Sequence, residues 1–142
     1  MRSLDRLQPL ALLVLRAVIG VIMIAHGYGK VFGGFSHVHD MVQRIGFAGW
    51  TAYLLAGTEF FGGILIIAGL LTRFVAVAML IDMGVAIWKI HWHNGLKGPG
   101  GFEFPLTLAA VAFALIFFGA GSMAFDSMRK GGGGRRTKSK PS

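Results

Sequence analysis

Four apolar stretches, each close to the ~20 residues an α-helix needs to cross a bilayer's hydrocarbon core, dominate this 142-residue sequence. They run over about 10–32, 51–71, 74–92 and 104–123. Pro9 suits the first turn of the first helix, and Gly33-Gly34 closes it. Thr72-Arg73 is so short a turn that the second and third helices must be antiparallel neighbours. A glycine-rich loop from Asn94 to Gly101 leads into the fourth. Hydrophobic residues make up 54% of the chain and charged ones only 14%, far below the roughly 25% of a soluble domain. A single soluble core could not hide that much apolar surface, so lipid must be part of the solvent.

The expected architecture is all-α: an antiparallel four-helix transmembrane bundle over residues 1–128, then a disordered basic tail over 129–142. In the first loop, Ser36 to Gly49, the residues His37, Val38, Met41, Val42 and Ile45 recur at helical spacing. They predict a short amphipathic helix lying at the interface. The first stretch is not read as a cleaved signal, because Arg16 interrupts it, it is too long, and no small-x-small site follows.

The net charge of +8 is not a nucleic-acid signature. Six of the basic residues, Arg129, Lys130, Arg135, Arg136, Lys138 and Lys140, crowd into the tail, where they read as an orientation or lipid-headgroup signal. With four spans, the tail, Arg2, Arg6 and Arg73 share one side. Arg44 and Lys97 lie on the other, with Lys30 and Lys89 near helix ends. The excess predicts cytoplasmic N- and C-termini in a bacterial inner membrane. The bilayer is the expected partner, a protein partner and a second copy of the chain are both admitted, and nucleic acid is not.

Charges at bilayer depth are expensive unless they are paired or face a cavity, on the order of 3 kcal/mol or more. The candidates are Arg16, His26, Glu59 and Asp82, with Lys30, Lys89, His91, His93 and Glu103 nearer the outer surface. At 100° per residue, Arg16, His26 and Lys30 cluster on one side of the first helix. Asp82, Lys89 and His93 fall within about 20° of one another on the third, and His91 points the opposite way. These stripes predict a buried Arg16–Glu59–Asp82 network beneath an outward-facing polar pocket rimmed by His26, Lys30, Lys89 and His93. Snorkelling to the surface is the plainer reading for Lys30, Lys89 and Glu103. Gly62, Gly63 and Gly69, with Ala56, are read as helix-packing positions. The pairs His37/His39 and His91/His93 are read as interfacial rather than metal-binding, and no metal site is expected. Without cysteine there is no thiol redox motif.

Arg16 with His26-Gly27-x-x-Lys30, then Glu59-x-x-Gly-Gly-x-Leu-x-x-x-Gly-Leu-Leu-Thr-Arg running into the third helix, resembles the DoxX family. The close of the fourth helix, Gly119-x-Gly121-Ser122 followed by Asp126, does so too. The resemblance extends over nearly everything from Leu10 to Asp126 and is most specific from Glu59 to Arg73. It implies a four-helix bacterial inner-membrane protein. The family's namesakes are subunits of a thiosulfate:quinone oxidoreductase, and another member joins a membrane complex with oxidative-stress enzymes.

Three functions follow as expectations. The first is a subunit or partner of a quinone-linked membrane oxidoreductase complex, in which Arg16, His26 and Lys30 donate to a quinone and Glu59 relays protons. No cofactor is firmly implied; a quinone is the one admitted, and a partner must supply the redox centre. The second is a non-enzymatic docking or stabilising protein. The third is a small permease-like unit for a small anion. The orientation has a direct check: a reporter fused after Asp126 is expected to be active only inside the cell, and external activity would overturn the charge argument.

Overall fold

The computed structural model describes residues 2–131, and all of its regular structure there is helical. A short turn of helix, α1 (Arg2–Asp5), precedes the long α2 (Gln8–Phe32). Then come α3 (Phe35–Arg44), α4 (Thr51–Ala68) and α5 (Thr72–Val85). The helix of α5 continues through a π-helical segment, Ala86–His91, and a 3-10 turn, Trp92–Asn94. The last two are α6 (Glu103–Phe118) and α7 (Phe125–Gly131). α7 carries helix three residues into the stretch read as a tail; the rest of that tail, 132–142, lies outside the described residues.

Three of these helical runs are long and apolar enough to cross a membrane: Gln8–Phe32, Thr51–Ala68 and Thr72–Asn94. The fourth apolar helix, expected over 104–123, has 16 residues and stops at Phe118. The reason is local. Gly119 and Gly121 have φ of 71° and 76°, a left-handed backbone that glycine adopts without steric penalty and that ends a right-handed helix.

The helices meet through small residues. A Cβ on Gly63 would lie 2.7 Å from the carbonyl oxygen of Gly20, and one on Gly27 would lie 2.4 Å from the backbone nitrogen of Phe60. α2 and α4 therefore approach backbone to backbone, with residue numbers running in opposite senses along the contact. Gly62 faces the other way, where its Cβ would meet Val75 at 3.2 Å. Lipid tails are as apolar as leucine, so close backbone packing replaces the hydrophobic effect in holding such helices together.

Ile19, Met23, Ile66, Met79, Leu108 and Leu115 form a buried core shared by α2, α4, α5 and α6. A short helix does occupy the first loop. α3 buries Val38 and Val42 against Ala52 of α4, leaving its polar residues outward. Large apolar side chains such as Val18, Val21, Phe61, Phe74 and Phe117 are exposed all round the long helices, as expected where lipid is the solvent.

Gly27 and Gly57 allow a contrasting test. Gly27→Ala drives a methyl group into the Phe60 backbone and should destabilise the protein by about 1–3 kcal/mol, the usual cost of overpacking. Gly57 has nothing within 4 Å of its Cβ position, so Gly57→Ala should be neutral or slightly stabilising through helix propensity. Thermal unfolding in detergent reads both, and equal effects would contradict the close α2–α4 contact.

Candidate functional site

The intramembrane charges separate into two groups at opposite ends of the α2–α4 contact. Arg16, just over two turns into α2, is 1% exposed. Its guanidinium does not reach Glu59 or Asp82. The expected Arg16–Glu59–Asp82 network is not formed. Nε donates to Ile66 O at 3.0 Å and Nη2 to Ile67 O at 3.0 Å. Nη1 donates to the carbonyls of Ala120 and of Met123, the latter at 3.1 Å. Ile66 and Ile67 end α4, where the last carbonyls have no intrahelical donor. A planar fork with five N–H groups can serve several such carbonyls at once.

Neighbouring motif residues complete this end. Gly69, at φ 70°, closes α4: its N–H donates to Ile66 O and that of Leu70 to Leu65 O, the pairing of a Schellman motif. A Cβ on Gly69 would sit 2.5 Å from Ala124 Cβ and 3.0 Å from Arg16 Cζ, so only glycine leaves room for the guanidinium. Asp126 accepts from the N–H groups of Leu71 and Thr72, each at 3.2 Å. It thus caps α5 from 54 or more residues away in sequence, while its own N–H donates to Gly69 O at 3.0 Å. Arg73 Nη2 reaches Phe117 O at 3.3 Å.

The second group surrounds a cavity of about 730 Å³. Lys30, in the last turn of α2, makes a direct ion pair with Glu59 of α4 through Nζ and Oε1. Glu59 is 3% exposed, and its other oxygen, Oε2, is buried with no hydrogen-bond partner among the described residues. Asp82, on α5, lies close enough to feel the charges of both, and its Oδ2 is likewise buried and unpartnered. His26 also lines the cavity, stacked on Phe104 with ring centroids 5.7 Å apart. Its Nδ1 lies 2.9 Å from Ile22 O. A carbonyl can only accept, so Nδ1 donates to it and Nε2 is left out of that bond. Most of the remaining wall is apolar, with Met23, Leu55, Ile81 and Leu108 among its residues.

Of the candidates read from sequence, the structure brings His26, Lys30, Glu59 and Asp82 to this cavity. Arg16, Lys89 and His93 stand outside its lining. Lys89 lies over the Trp88 ring, 4.2 Å from its centroid, and 5.9 Å from that of Phe47. His91 and Glu103, in contrast, do line the cavity. The π-helical segment accounts for the exchange on the third helix. Hydrogen bonding to i+5 adds a residue to the turn, which displaces everything beyond it by about 100° relative to an α-helix. Ile90 and His91 therefore come round to the cavity, and Lys89 turns away. No group of three or more His, Cys, Asp or Glu residues with metal-binding geometry occurs among the described residues.

The two groups should behave independently on mutation. Arg16→Met removes the side-chain donor of the Ile67, Ala120 and Met123 carbonyls and one of the two donors to Ile66 O, and should destabilise the protein severely, since each buried unpaired acceptor costs about 1–3 kcal/mol. Arg16→Lys should recover only part, because an ammonium cannot reproduce the fork. Adding Glu59→Ala to Arg16→Met should give the sum of the single losses to within about 0.5 kcal/mol. Rescue in the double variant would restore the direct pairing that the geometry lacks.

A model of the DoxX family matches residues 11–92, the segment that contains Arg16, His26, Lys30, Glu59 and Asp82. The chain is 32% identical to "Putative oxidoreductase CatD" of Bacillus subtilis over 80% of its own length and 83% of that protein's. It is 31% identical to an uncharacterized protein of Haemophilus influenzae, over 89% and 96% of the two chains. With "Inner membrane protein YqjF" of Escherichia coli it shares 30% identity over 88% and 96%. No solved structure matches it significantly. The chain is a membrane protein and belongs to the DoxX family.

Proposed function

We propose that this protein crosses the bacterial inner membrane four times, with both termini in the cytoplasm, and serves a quinone-linked oxidoreductase complex as the subunit that holds the ring. The single observation that carries the reading is Glu59: a nearly fully buried carboxylate, paired with Lys30 through one oxygen, whose other oxygen is unsatisfied beside an apolar cavity. Intramembrane ionisable residues are functional by default, and this pair has a space to act on. The name of the B. subtilis relative, an oxidoreductase, and that of the E. coli relative, an inner membrane protein, point the same way.

The fourth crossing is supported by how α6 ends. Its 16 residues rise about 24 Å, short of a ~30 Å hydrocarbon core. Irregular backbone is tolerated at membrane depth only where protein satisfies its polar groups. Arg16 does that for Ala120 and Met123, so the chain can stay within the bilayer after the helix stops. The basic excess on the side of Arg73 and the tail sets the orientation.

The residues at the cavity suit a flat ring of moderate size. Its volume of about 730 Å³ falls within the usual range for small-molecule sites, about 300–1,000 Å³. Phe104 and the aliphatic wall would hold the ring, and Lys30, Glu59, Asp82 and His26 its oxygens. A quinone, when bound, supplies an acceptor for two electrons and two protons. Glu59 and Asp82 can exchange protons at their carboxyl oxygens, and Lys30 holds Glu59 in place while offsetting its charge. With no cysteine in the sequence and no haem or flavin motif, the redox centre belongs to a protein partner. A small anion suits the cavity poorly: Arg16 is committed elsewhere, and Lys30 faces two carboxylates.

His26→Ala should lower quinone binding while leaving the amount of protein in the membrane nearly unchanged, since water can replace the bonds of an exposed histidine. Glu59→Gln keeps shape but loses the titratable proton. Quinone-dependent electron transfer in isolated membranes should fall by roughly 10²–10⁴-fold, with binding affected less. Loss of abundance alone in both variants would favour the docking or stabilising role instead.

A further inference from the structure

The hydrogen-bonding groups at the cavity are unequally divided between donors and acceptors. Glu59 Oε2 and Asp82 Oδ2 are buried and have no donor among the described residues. His26 donates from Nδ1 to Ile22 O, an arrangement that in the Nδ1–H tautomer leaves an acceptor at Nε2. Lys30 has N–H groups left over, one being given to Glu59, and Thr58 of the lining brings a hydroxyl that can donate as well as accept. A ligand oxygen that can only accept therefore meets the ammonium of Lys30 and the hydroxyl of Thr58 among the carboxylates of Glu59, Asp82 and Glu103. A ligand that brings hydroxyl groups meets two buried acceptors that lack a partner among the described residues, Glu59 Oε2 and Asp82 Oδ2, with the exposed ring of His26 beside them.

We propose that the cavity binds the hydroxyl-bearing, reduced form of a quinone-type ring, the quinol, in preference to the carbonyl-bearing oxidised form. This rests on the quinone-linked reading above and adds a direction to it. The physical basis is the cost of leaving a buried acceptor unsatisfied, which a donated O–H removes and a carbonyl does not. Charge–dipole character strengthens the bond when the acceptor is a carboxylate. The wall is mostly apolar, which makes burial of a cationic donor such as an alkylammonium costly and leaves a neutral hydroxyl as the fitting chemistry. The two carboxylates lie on different helices, Glu59 on α4 and Asp82 on α5, so the acceptors do not come from one exposed patch. His26, on α2, adds the third from another side, beside the ring of Phe104. The selection is thus built from three helices around one apolar space.

The test uses the full chain in lipid nanodiscs under anaerobic conditions, with decylubiquinol and decylubiquinone as probes and empty nanodiscs as the blank. Binding is read from quenching of tryptophan fluorescence. The quinol should bind at least about tenfold more tightly, the ratio expected when one buried hydrogen bond is gained. Asp82→Asn introduces an amide that can donate as well as accept, so the ratio should fall to about threefold or less. His26→Phe keeps the ring at an exposed position and removes the lone pair. It should lower the ratio in the same direction, and it serves if Asp82→Asn does not fold. Equal binding of the two probes, or tighter binding of the quinone, overturns the preference while leaving the quinone-linked reading standing. An unchanged ratio in the folded variants overturns the role of these acceptors. Tighter binding of decylammonium than of the quinol overturns the choice of a neutral donor. Binding of neither ring overturns the quinone-linked reading and this inference with it.

Discussion

The guanidinium of Arg16 ties α2 to the end of α4 and to the backbone that follows α6, and much of the remaining structure depends on that tie. In a bilayer, backbone carbonyls freed by a helix end have no water to turn to. Chain reversals at membrane depth thus require an internal donor. A single arginine meets the need for two separate reversals. Gly69 turns the chain directly against the guanidinium, and Gly119 and Gly121, which face Arg73 and Leu12, flank the Ala120 carbonyl that it bonds. Asp126 adds the complementary service, accepting from the start of α5 where N–H groups lack partners.

With that end fixed, the glycine contacts along α2 and α4 set the register of the two helices. Gly20 against Gly63 and Gly27 against Phe60 leave Lys30 opposite Glu59. The ion pair is thus placed by backbone packing that starts within one turn of it. The same register opens the wall between α4, α5 and α6, where the cavity lies. The charges are divided between the two ends: Arg16 spends its donors on backbone carbonyls, whereas Glu59 and Asp82 each keep a buried oxygen without a partner among the described residues.

Much of the fold was legible because its determinants are local. Apolar length, Pro9 and Gly33-Gly34 place the long helices within a few residues, and helical spacing in the first loop finds α3; the tight reversal expected at Thr72-Arg73 falls just before it, at 69–71, and Thr72 opens α5. The end of the fourth helix was not legible, because Gly119 and Gly121 sit within an apolar run and their backbone is decided by a partner 104 residues distant, Arg16. The charge pattern located His26, Lys30, Glu59 and Asp82 but mispaired them. An arginine among carboxylates invites an ion pair on paper, yet backbone carbonyls carry no sequence signature and compete for the same donors. The π-helical turn was equally hidden. It shifts the phase of α5 so that His91, assigned to the far side by simple periodicity, joins the cavity and Lys89 leaves it. A signal existed for Asp126: an acid following two glycines and preceding a basic tail suggests a cap, but not which helix it caps.

The central claim is that the unpartnered carboxyl oxygens of Glu59 and Asp82 receive a ligand. It is tested most directly by infrared difference spectroscopy of the protein in lipid, recorded on addition of decylubiquinol. The account predicts changes in the carboxyl and carboxylate bands on binding, one component missing in Glu59→Gln and another in Asp82→Asn. A spectrum with ligand bands alone, and no change in either side chain, would contradict it.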